Sequence, residues 1–274
     1  MKKIADYYIY FHFHVGLAAV ALYFLYARSI NRSPGAVYPV FLFVSTVGYY
    51  TFLRLLHINS LRSKIKHFYE KNFIPALLIT ALSGIVATVI FFLFFKKEIW
   101  FFLPALLLAL FYNLKISGGR IMGLRKIGVL KIITIAAVWS IMVVLIPFIG
   151  GGQINVPLMF LHAFLFVLLW TLPFDIRDLS LDSSSLQTVP QIFTGKILYV
   201  IFFLWILYTA VTLRLYSKGM DVYITAAFIS AGLFSVAASY YSGRLKDNYF
   251  FTAFWVEGIP VWILLIYSVF KILT

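Results

Sequence analysis

The feature that most constrains this chain is a succession of long apolar runs that continues from the N-terminal region to the C-terminus. A transmembrane helix needs ~20 mostly apolar residues to cross a hydrocarbon core ~30 Å thick. Apolar runs of this kind cover residues 8–27, 36–56, 73–95, 99–114, 129–149, 157–174, 196–216, 222–241 and 249–272. The sequence therefore predicts an all-α, polytopic membrane bundle of about nine transmembrane helices, built as a single domain over residues 1–274.

The composition excludes a water-soluble protein. Hydrophobic residues make up 63% of the chain, charged residues make up 12%, and the mean hydropathy is +0.97. A soluble domain of this length could not hide so much apolar surface. The absence of cysteine excludes disulfides and thiolate metal sites. The net charge of +14 follows from the basic loops of a membrane protein, so it predicts no nucleic-acid partner.

The basic residues also predict an orientation. Sixteen of the 23 Lys and Arg residues lie in the N-terminal tail and the even-numbered loops, and seven lie on the other side. The positive-inside rule then places the N-terminus and the even-numbered loops in the cytoplasm and the C-terminus outside. We expect the membrane to be a bacterial cytoplasmic membrane. The long, polar loops, roughly 57–72, 115–128 and 175–195, all fall on the cytoplasmic side, where we expect the function.

Three of the nine carboxylates fall within eight residues, at Asp175, Asp178 and Asp182. Their spacing of i, i+3 and i+7 places them on one face of a helix. Like charges held so close repel one another unless a cation neutralises them, and oxygen-rich sites of this kind suit Mg²⁺. The alternative is a solvated helix in which Arg177 is the partner of the aspartates.

The segment from Leu172 to Asp182 resembles the second aspartate motif, D-x-x-D-x-x-x-D, of the UbiA-type intramembrane prenyltransferase family. The nine-span topology with a cytoplasmic N-terminus is also similar to that family. So is the exit from the fourth span at Phe111 to Lys115, which leads through Arg125 and Lys126 to Lys131 and Trp139.

The resemblance implies a function. Family members bind a polyprenyl diphosphate through Mg²⁺ held between two aspartate motifs, and transfer the prenyl group to a lipophilic acceptor. By this resemblance Asp175, Asp178 and Asp182 are the catalytic residues and the metal ligands. The metal and basic donors would stabilise the departing diphosphate.

The first aspartate motif of the family, expected between Tyr49 and His67, is missing. No carboxylate occurs between Asp6 and Glu70. One hypothesis is that basic and aromatic residues bind the diphosphate directly. The candidates are Arg54, Arg62, Lys64, Tyr112, Lys115, Arg125 and Lys126. The other hypothesis is that Arg54 pairs with Asp178 or Asp182 as a structural bridge.

Four ionisable residues lie inside apolar runs, namely His12, His14, His162 and Glu257. We expect them to form buried hydrogen-bonded pairs rather than to take part in catalysis.

Three functions remain open: a divergent UbiA-like prenyltransferase, a catalytically lapsed member that binds a lipid or lipid diphosphate, and an unrelated transporter. The first two require Arg54 and Asp178 to face one cavity. The sequence carries no signal for the acceptor, the prenyl length or the oligomeric state.

Overall fold

A computed structural model describes residues 2–32, 35–113, 128–149, 155–179, 186–245 and 248–273. These residues form helices and turns, without a strand among them. The helices are α1 Lys2–Tyr10, α2 Phe13–Ser29, α3 Val37–Leu56, α4 Ser63–Lys71, α5 Phe73–Ile90, α6 Ile99–Asn113, α7 Gly128–Ser140, α8 Ile146–Phe148, α9 Val156–Asp178, α10 Val189–Ile192, α11 Ile197–Tyr216, α12 Val222–Ser242 and α13 Ile259–Leu273. Short 3-10 turns cover Ile58–Ser60 and Lys96–Glu98, and π-helical segments cover Phe91–Phe95, Ile141–Leu145 and Phe251–Val256.

Six helical segments of the described chain are long and apolar enough to cross a membrane, or seven if the bent pair α1 and α2 is one span. The protein is therefore an integral membrane protein with a polytopic helical bundle. The expected third and fourth spans are joined in one helical segment of 40 residues, Phe73–Tyr112. At ~1.5 Å per residue this segment is about twice as long as a ~30 Å core is thick. The last run is interrupted at residues 257–258, which leaves a short apolar helix. The count of nine spans stays a prediction.

The helices follow one another around a ring. Contacts join α2 to α3, α3 to α5, α6 to α7 and α7 to α9. They continue from α9 to α11 and α12, from α12 to α13, and from α13 back to α2. Within this arrangement α9 is the most buried span, whereas most side chains of α5 are exposed. The residues of α9 therefore reach the interior of the bundle, and most of those of α5 face lipid.

The first span is broken where it passes α3. Helices α1 and α2 meet at an angle of 60°, and His12 between them has a left-handed backbone with φ of 61°. A break inside a membrane frees backbone carbonyls, which need new donors. The hydroxyl of Tyr69 donates to the carbonyl of Tyr10, and Thr51 Oγ1 donates to that of Phe11 at 3.2 Å. The break is therefore held by α3 and α4, and the ring centre of His12 lies 5.5 Å from that of Tyr50 on α3.

The end of α9 fixes the position of the aspartates. This helix begins after Asn155, whose side chain accepts a hydrogen bond from the backbone N–H of Leu158 at 3.2 Å. It then runs for 23 residues to Asp178. At ~1.5 Å per residue this length crosses the hydrocarbon core. Asp175 and Asp178 consequently lie on the last turn, at one end of the bundle.

Candidate functional site at the end of α9

Two arginines bind Asp178. Its Oδ1 accepts hydrogen bonds from Arg62 Nη2 at 2.6 Å and from Arg177 Nε at 2.9 Å. Its Oδ2 accepts from Arg177 Nη2 at 2.8 Å. Arg62 lies between α3 and α4, so this contact ties the loop after α3 to the end of α9. Hydrogen bonds between charged groups are the strong ones, and the fork of Arg177 on a carboxylate adds geometric specificity.

The buried guanidinium of Arg177 is enclosed on several sides. Besides Asp178, it donates through Nη1 to the hydroxyl of Thr252 in the last π-helical segment. Its carbon Cζ lies 5.5 Å from the ring centre of Phe174 and 5.4 Å from that of Tyr249. Both distances fall within the ~6 Å range of cation–π attraction. Arg177 therefore joins α9 to the segment that precedes α13.

Asp175 is bound by a lysine from a different helix. Lys131 Nζ, on the first turn of α7, donates to Asp175 Oδ1 at 2.6 Å. The Asp175 side chain is 2% exposed and the Lys131 side chain is 19% exposed, so the pair is largely removed from water. We call Arg62, Lys131, Asp175, Arg177 and Asp178 the ion-pair cluster. Three cations face two carboxylates in it.

The described carboxylates do not fit a magnesium site. Mg²⁺ needs oxygen ligands that are free to coordinate it at about 2.0–2.1 Å. Both oxygens of Asp178 and one oxygen of Asp175 instead accept hydrogen bonds from basic side chains. Among the described residues no group of three His, Cys, Asp or Glu could hold a metal ion. The third predicted ligand, Asp182, lies outside these residues.

Arg54, at the end of α3, lies beside the ion-pair cluster. It is close enough to Tyr69 and Tyr249 for its charge to act on both. Burial raises the pKa of Tyr69 well above its usual value, and the charge of Arg54 offsets part of that effect. Tyr249 also lies within electrostatic range of Asp178. Arg54 and Asp178 are consequently both neighbours of Tyr249, and a cavity shared by the two, which the diphosphate hypothesis requires, stays a prediction.

The bridge between Arg54 and Asp178 is not formed. Arg62 occupies that position, and Arg54 has no ion pair or hydrogen bond to any described residue. Asp182, the other partner that this hypothesis names for Arg54, lies outside the described part of the chain. Arg54 is thus a partly buried cation that forms no ion pair with the described residues, although the carboxylate of Glu257 lies within its electrostatic range.

The described structure does not bring the other predicted diphosphate ligands together at the cluster. Tyr112 lies within electrostatic range of Tyr50, which neighbours His12. Lys64 is exposed on the first turn of α4, and no contact within the described ranges joins it to the cluster. Lys115, Arg125 and Lys126 lie outside the residues that the structure describes.

Two of the four intramembrane ionisable residues form the buried hydrogen bonds that the sequence predicts. His14 contacts the hydroxyl of Tyr8 and the carbonyl of Phe254, and His162 contacts the hydroxyls of Tyr26 and Thr212. Both are the expected buried pairs.

His12 differs from these two histidines. Its side chain is 3% exposed, and neither ring nitrogen has a hydrogen-bond partner among the described residues. Its ring centre lies 5.5 Å from that of Tyr50. Arg54 lies within electrostatic range of both His12 and Glu257, and no described residue forms a hydrogen bond with the Glu257 side chain. We call His12, Tyr50, Arg54 and Glu257 the His12–Glu257 group.

Buried polar groups that lack partners are rare in proteins and point to a ligand or a function. The signal that could have found this group was in the sequence, since both His12 and Glu257 interrupt apolar runs. Only the fold shows that they converge on Arg54. Comparison with family models, with curated proteins and with solved structures finds no match to this chain.

Proposed function

We propose that the protein binds a polyprenyl diphosphate, with its head group at the ion-pair cluster and its tail in the membrane. The observation that carries this proposal is Arg54. It is a partly buried arginine that forms no ion pair with a described residue, and it lies near a cluster whose described members are three cations and two carboxylates. A charge in this position is costly unless an anion accompanies it.

The basic residues suit a diphosphate. Arginine presents a planar fork of donors that matches phosphate oxygens, and lysine adds a compact charge. Arg54 and Arg62 come from the end of α3 and the loop after it, and Lys131 from the start of α7. A diphosphate that inserted among them would receive charge-assisted hydrogen bonds from several sides. The head group would then be held without a metal ion.

The ring of helices is consistent with a UbiA-like fold. We propose nine spans, with the 40-residue segment Phe73–Tyr112 counted as two and the broken segments at both ends of the chain counted as one each. We also propose a bacterial inner membrane, in which the N-terminus is cytoplasmic as the distribution of basic residues favours. In that orientation the ion-pair cluster lies at the cytoplasmic end, where water-soluble pyrophosphate could leave.

Prenyl transfer is the second candidate function, and the His12–Glu257 group favours it. In such a transfer the bond between the prenyl carbon and the diphosphate oxygen breaks, and the diphosphate leaves with the electron pair. Arg54 and Arg62 would stabilise the charge on the leaving group. A bond forms between the prenyl carbon and the acceptor, whose proton passes to the free nitrogen of His12. The lipophilic acceptor would therefore carry an ionisable hydroxyl.

A binding experiment tests the first candidate. Farnesyl diphosphate, added to the purified protein in detergent, should raise the thermal unfolding temperature, and farnesol should not. Arg54→Gln should weaken binding by roughly tenfold, the effect of losing one charge-assisted hydrogen bond. Arg214→Gln is the matched control, because Arg214 is an exposed arginine at the other end of the bundle. If farnesyl diphosphate does not bind to the wild-type protein, both candidates are wrong.

A turnover experiment tests the second candidate. Protein, farnesyl diphosphate, Mg²⁺ and a panel of phenolic and lipid alcohol acceptors are incubated, and released pyrophosphate is measured. Release that depends on an acceptor and is lost in His12→Gln, with farnesyl diphosphate binding retained, supports prenyl transfer. Binding without release for any acceptor supports the lapsed member of the family that binds the diphosphate only.

A further inference from the structure

The opposite end of the bundle contains a groove of about 540 Å³ between the ends of α2 and α13. These two helices pack directly against each other. The floor of the groove is apolar, with Phe24, Leu264 and Tyr267. Its rim is basic, with Arg28, Arg32 and Lys271. An apolar floor below a basic rim is the arrangement that fits an amphipathic anion.

The three cations of this groove are poorly neutralised. Asp221 is the carboxylate in the lining, and its Oδ1 already accepts a hydrogen bond from the backbone N–H of Tyr223 at 2.8 Å. Its Oδ2 lies 3.9 Å from Lys271 Nζ, at the limit for an ion pair. Arg32 donates to the neutral carbonyl of Pro147 at 3.3 Å. Within the described chain Arg28 has no carboxylate within 4.0 Å.

The three basic residues of the groove lie on the side of the membrane where few basic residues are expected. Only seven basic residues lie on the side that the charge distribution predicts to be outside, and three of them meet in this groove. The positive-inside rule describes a depletion of Lys and Arg on that side. Basic loops required by topology therefore do not account for Arg28, Arg32 and Lys271.

The groove adjoins a surface that faces lipid. On α13, the side chains of Leu265, Val269 and Ile272 are exposed by 53%, 55% and 82%. Apolar exposure of this extent on a membrane helix is covered by acyl chains. An acyl chain lying along this face of α13 would bring its head group to Lys271 and, across the groove, to Arg28 and Arg32.

We propose that this groove binds an anionic phospholipid of the leaflet at that end of the bundle. Arg28 and Arg32 hold the phosphate, Lys271 contributes a third charge, and the acyl chains lie against α13. Arginine forks match phosphate oxygens, and basic recesses between membrane helices bind anionic head groups. The proposal does not depend on the polyprenyl diphosphate, because the groove and the ion-pair cluster lie at opposite ends of α2 and α13.

Lipid retention, measured by native mass spectrometry, tests the proposal that the groove binds an anionic phospholipid. The protein is exchanged into detergent with equal amounts of phosphatidylglycerol and phosphatidylcholine, and the lipids that remain bound are counted. We expect the wild-type protein to retain phosphatidylglycerol. Arg28→Gln/Arg32→Gln should reduce the preference roughly 30-fold, from two lost charges near the head group. Lys271→Gln, on the other helix, should reduce it by about fivefold. Arg214→Gln/Lys218→Gln, with two exposed basic residues at the same end, is the matched control.

Two results would overturn the proposal. In the first, the Arg28 and Arg32 variant retains as much phosphatidylglycerol as the Arg214 and Lys218 control. In the second, glycerol 3-phosphate or inorganic phosphate displaces the lipid at equal concentration, which would show a site for a soluble anion. If the double variant does not fold, the Lys271→Gln variant decides alone: an unchanged preference for phosphatidylglycerol contradicts the proposal.

Discussion

Arg62 Nη2 lies 2.6 Å from Asp178 Oδ1, although the two residues are 116 positions apart in the sequence. This contact joins the loop after α3 to the end of α9, where Asp175 and Asp178 lie. It replaces, in the described structure, the metal contact that the motif predicted for Asp178. The site is therefore built around arginine and lysine, and its ligand should be an anion.

The first prediction concerns the stability of this pair. Asp178→Asn removes the charge that both Arg62 and Arg177 bind, and Arg177 stays buried. We expect the free energy of unfolding to fall by about 2 kcal/mol, since a largely buried guanidinium loses its counter-charge. Denaturant unfolding in detergent measures it. Asp221→Asn is the control, because asparagine also caps a helix N-terminus and should leave the stability unchanged. Equal stability of the two variants would contradict the prediction.

The second prediction concerns Lys131 and Asp175. Lys131→Met removes the ammonium bound to a carboxylate that is 2% exposed. We expect a loss of about 3 kcal/mol, because breaking a buried pair leaves a desolvated charge behind. Lys131→Met/Asp175→Leu should recover most of that loss, since both charges are then removed. A double variant as unstable as the single one would show that the pair does not determine the stability, and the same denaturant series gives both values.

The third prediction concerns the approach of two chain segments near the site. A Cβ atom added to Gly128, at the start of α7, would lie 2.4 Å from the backbone carbonyl oxygen of Gln187 and 2.4 Å from the backbone nitrogen of Thr188. Gly128→Ala should therefore reduce the stability by about 1–3 kcal/mol, the usual cost of overpacking.

Gly84→Ala provides the matched control for this substitution. A Cβ atom there meets nothing within 4 Å, and Gly84 lies inside α5. Its replacement should stabilise the helix by up to about 1 kcal/mol. Thermal unfolding of both variants distinguishes the two positions, and destabilisation by Gly84→Ala as large as that by Gly128→Ala would count against the close contact.

The fourth prediction concerns the buried hydrogen bonds of His162, which lie away from the proposed binding site. The hydroxyl of Tyr26 lies 2.7 Å from His162 Nδ1, and His162 Nε2 lies 3.0 Å from Thr212 Oγ1. Tyr26→Phe leaves one buried nitrogen without a partner, so we expect a stability loss of about 1–3 kcal/mol. Binding of farnesyl diphosphate should be unchanged, because this contact joins the end of α2 to the start of α9. A parallel loss of binding would mean that the site extends through the bundle.

Much of the fold could be predicted, since the apolar runs alone identify the membrane helices. The bend at His12 could not, because it depends on donors from Thr51 and Tyr69 in other segments. The sequence also predicts Asp175 and Asp178 at the end of a span, because they directly follow the sixth apolar run. The alternative that made Arg177 the partner of the aspartates has the pairing right for Asp178, but Arg177 is buried and the helix end is not solvated as that alternative expected.

The choice among cations needed the structure. One hypothesis from the sequence makes Arg54 the bridging partner of Asp178, but Arg62 reaches it instead, because the turn between α3 and α4 brings Arg62 to the end of α9. The three histidines inside apolar runs are likewise equivalent on a hydropathy profile. His14 and His162 find partners 240 and 50 residues away, whereas His12 finds none among the described residues.

The most direct test of the account is the affinity of farnesyl diphosphate measured with and without a metal ion. Equilibrium binding to the wild-type protein in detergent is measured in excess EDTA and then in Mg²⁺. If basic side chains hold the head group, binding should persist in EDTA and fall in Arg54→Gln, with the unfolding temperature of that variant unchanged. Binding that disappears in EDTA, or that Arg54→Gln leaves intact, would contradict the account.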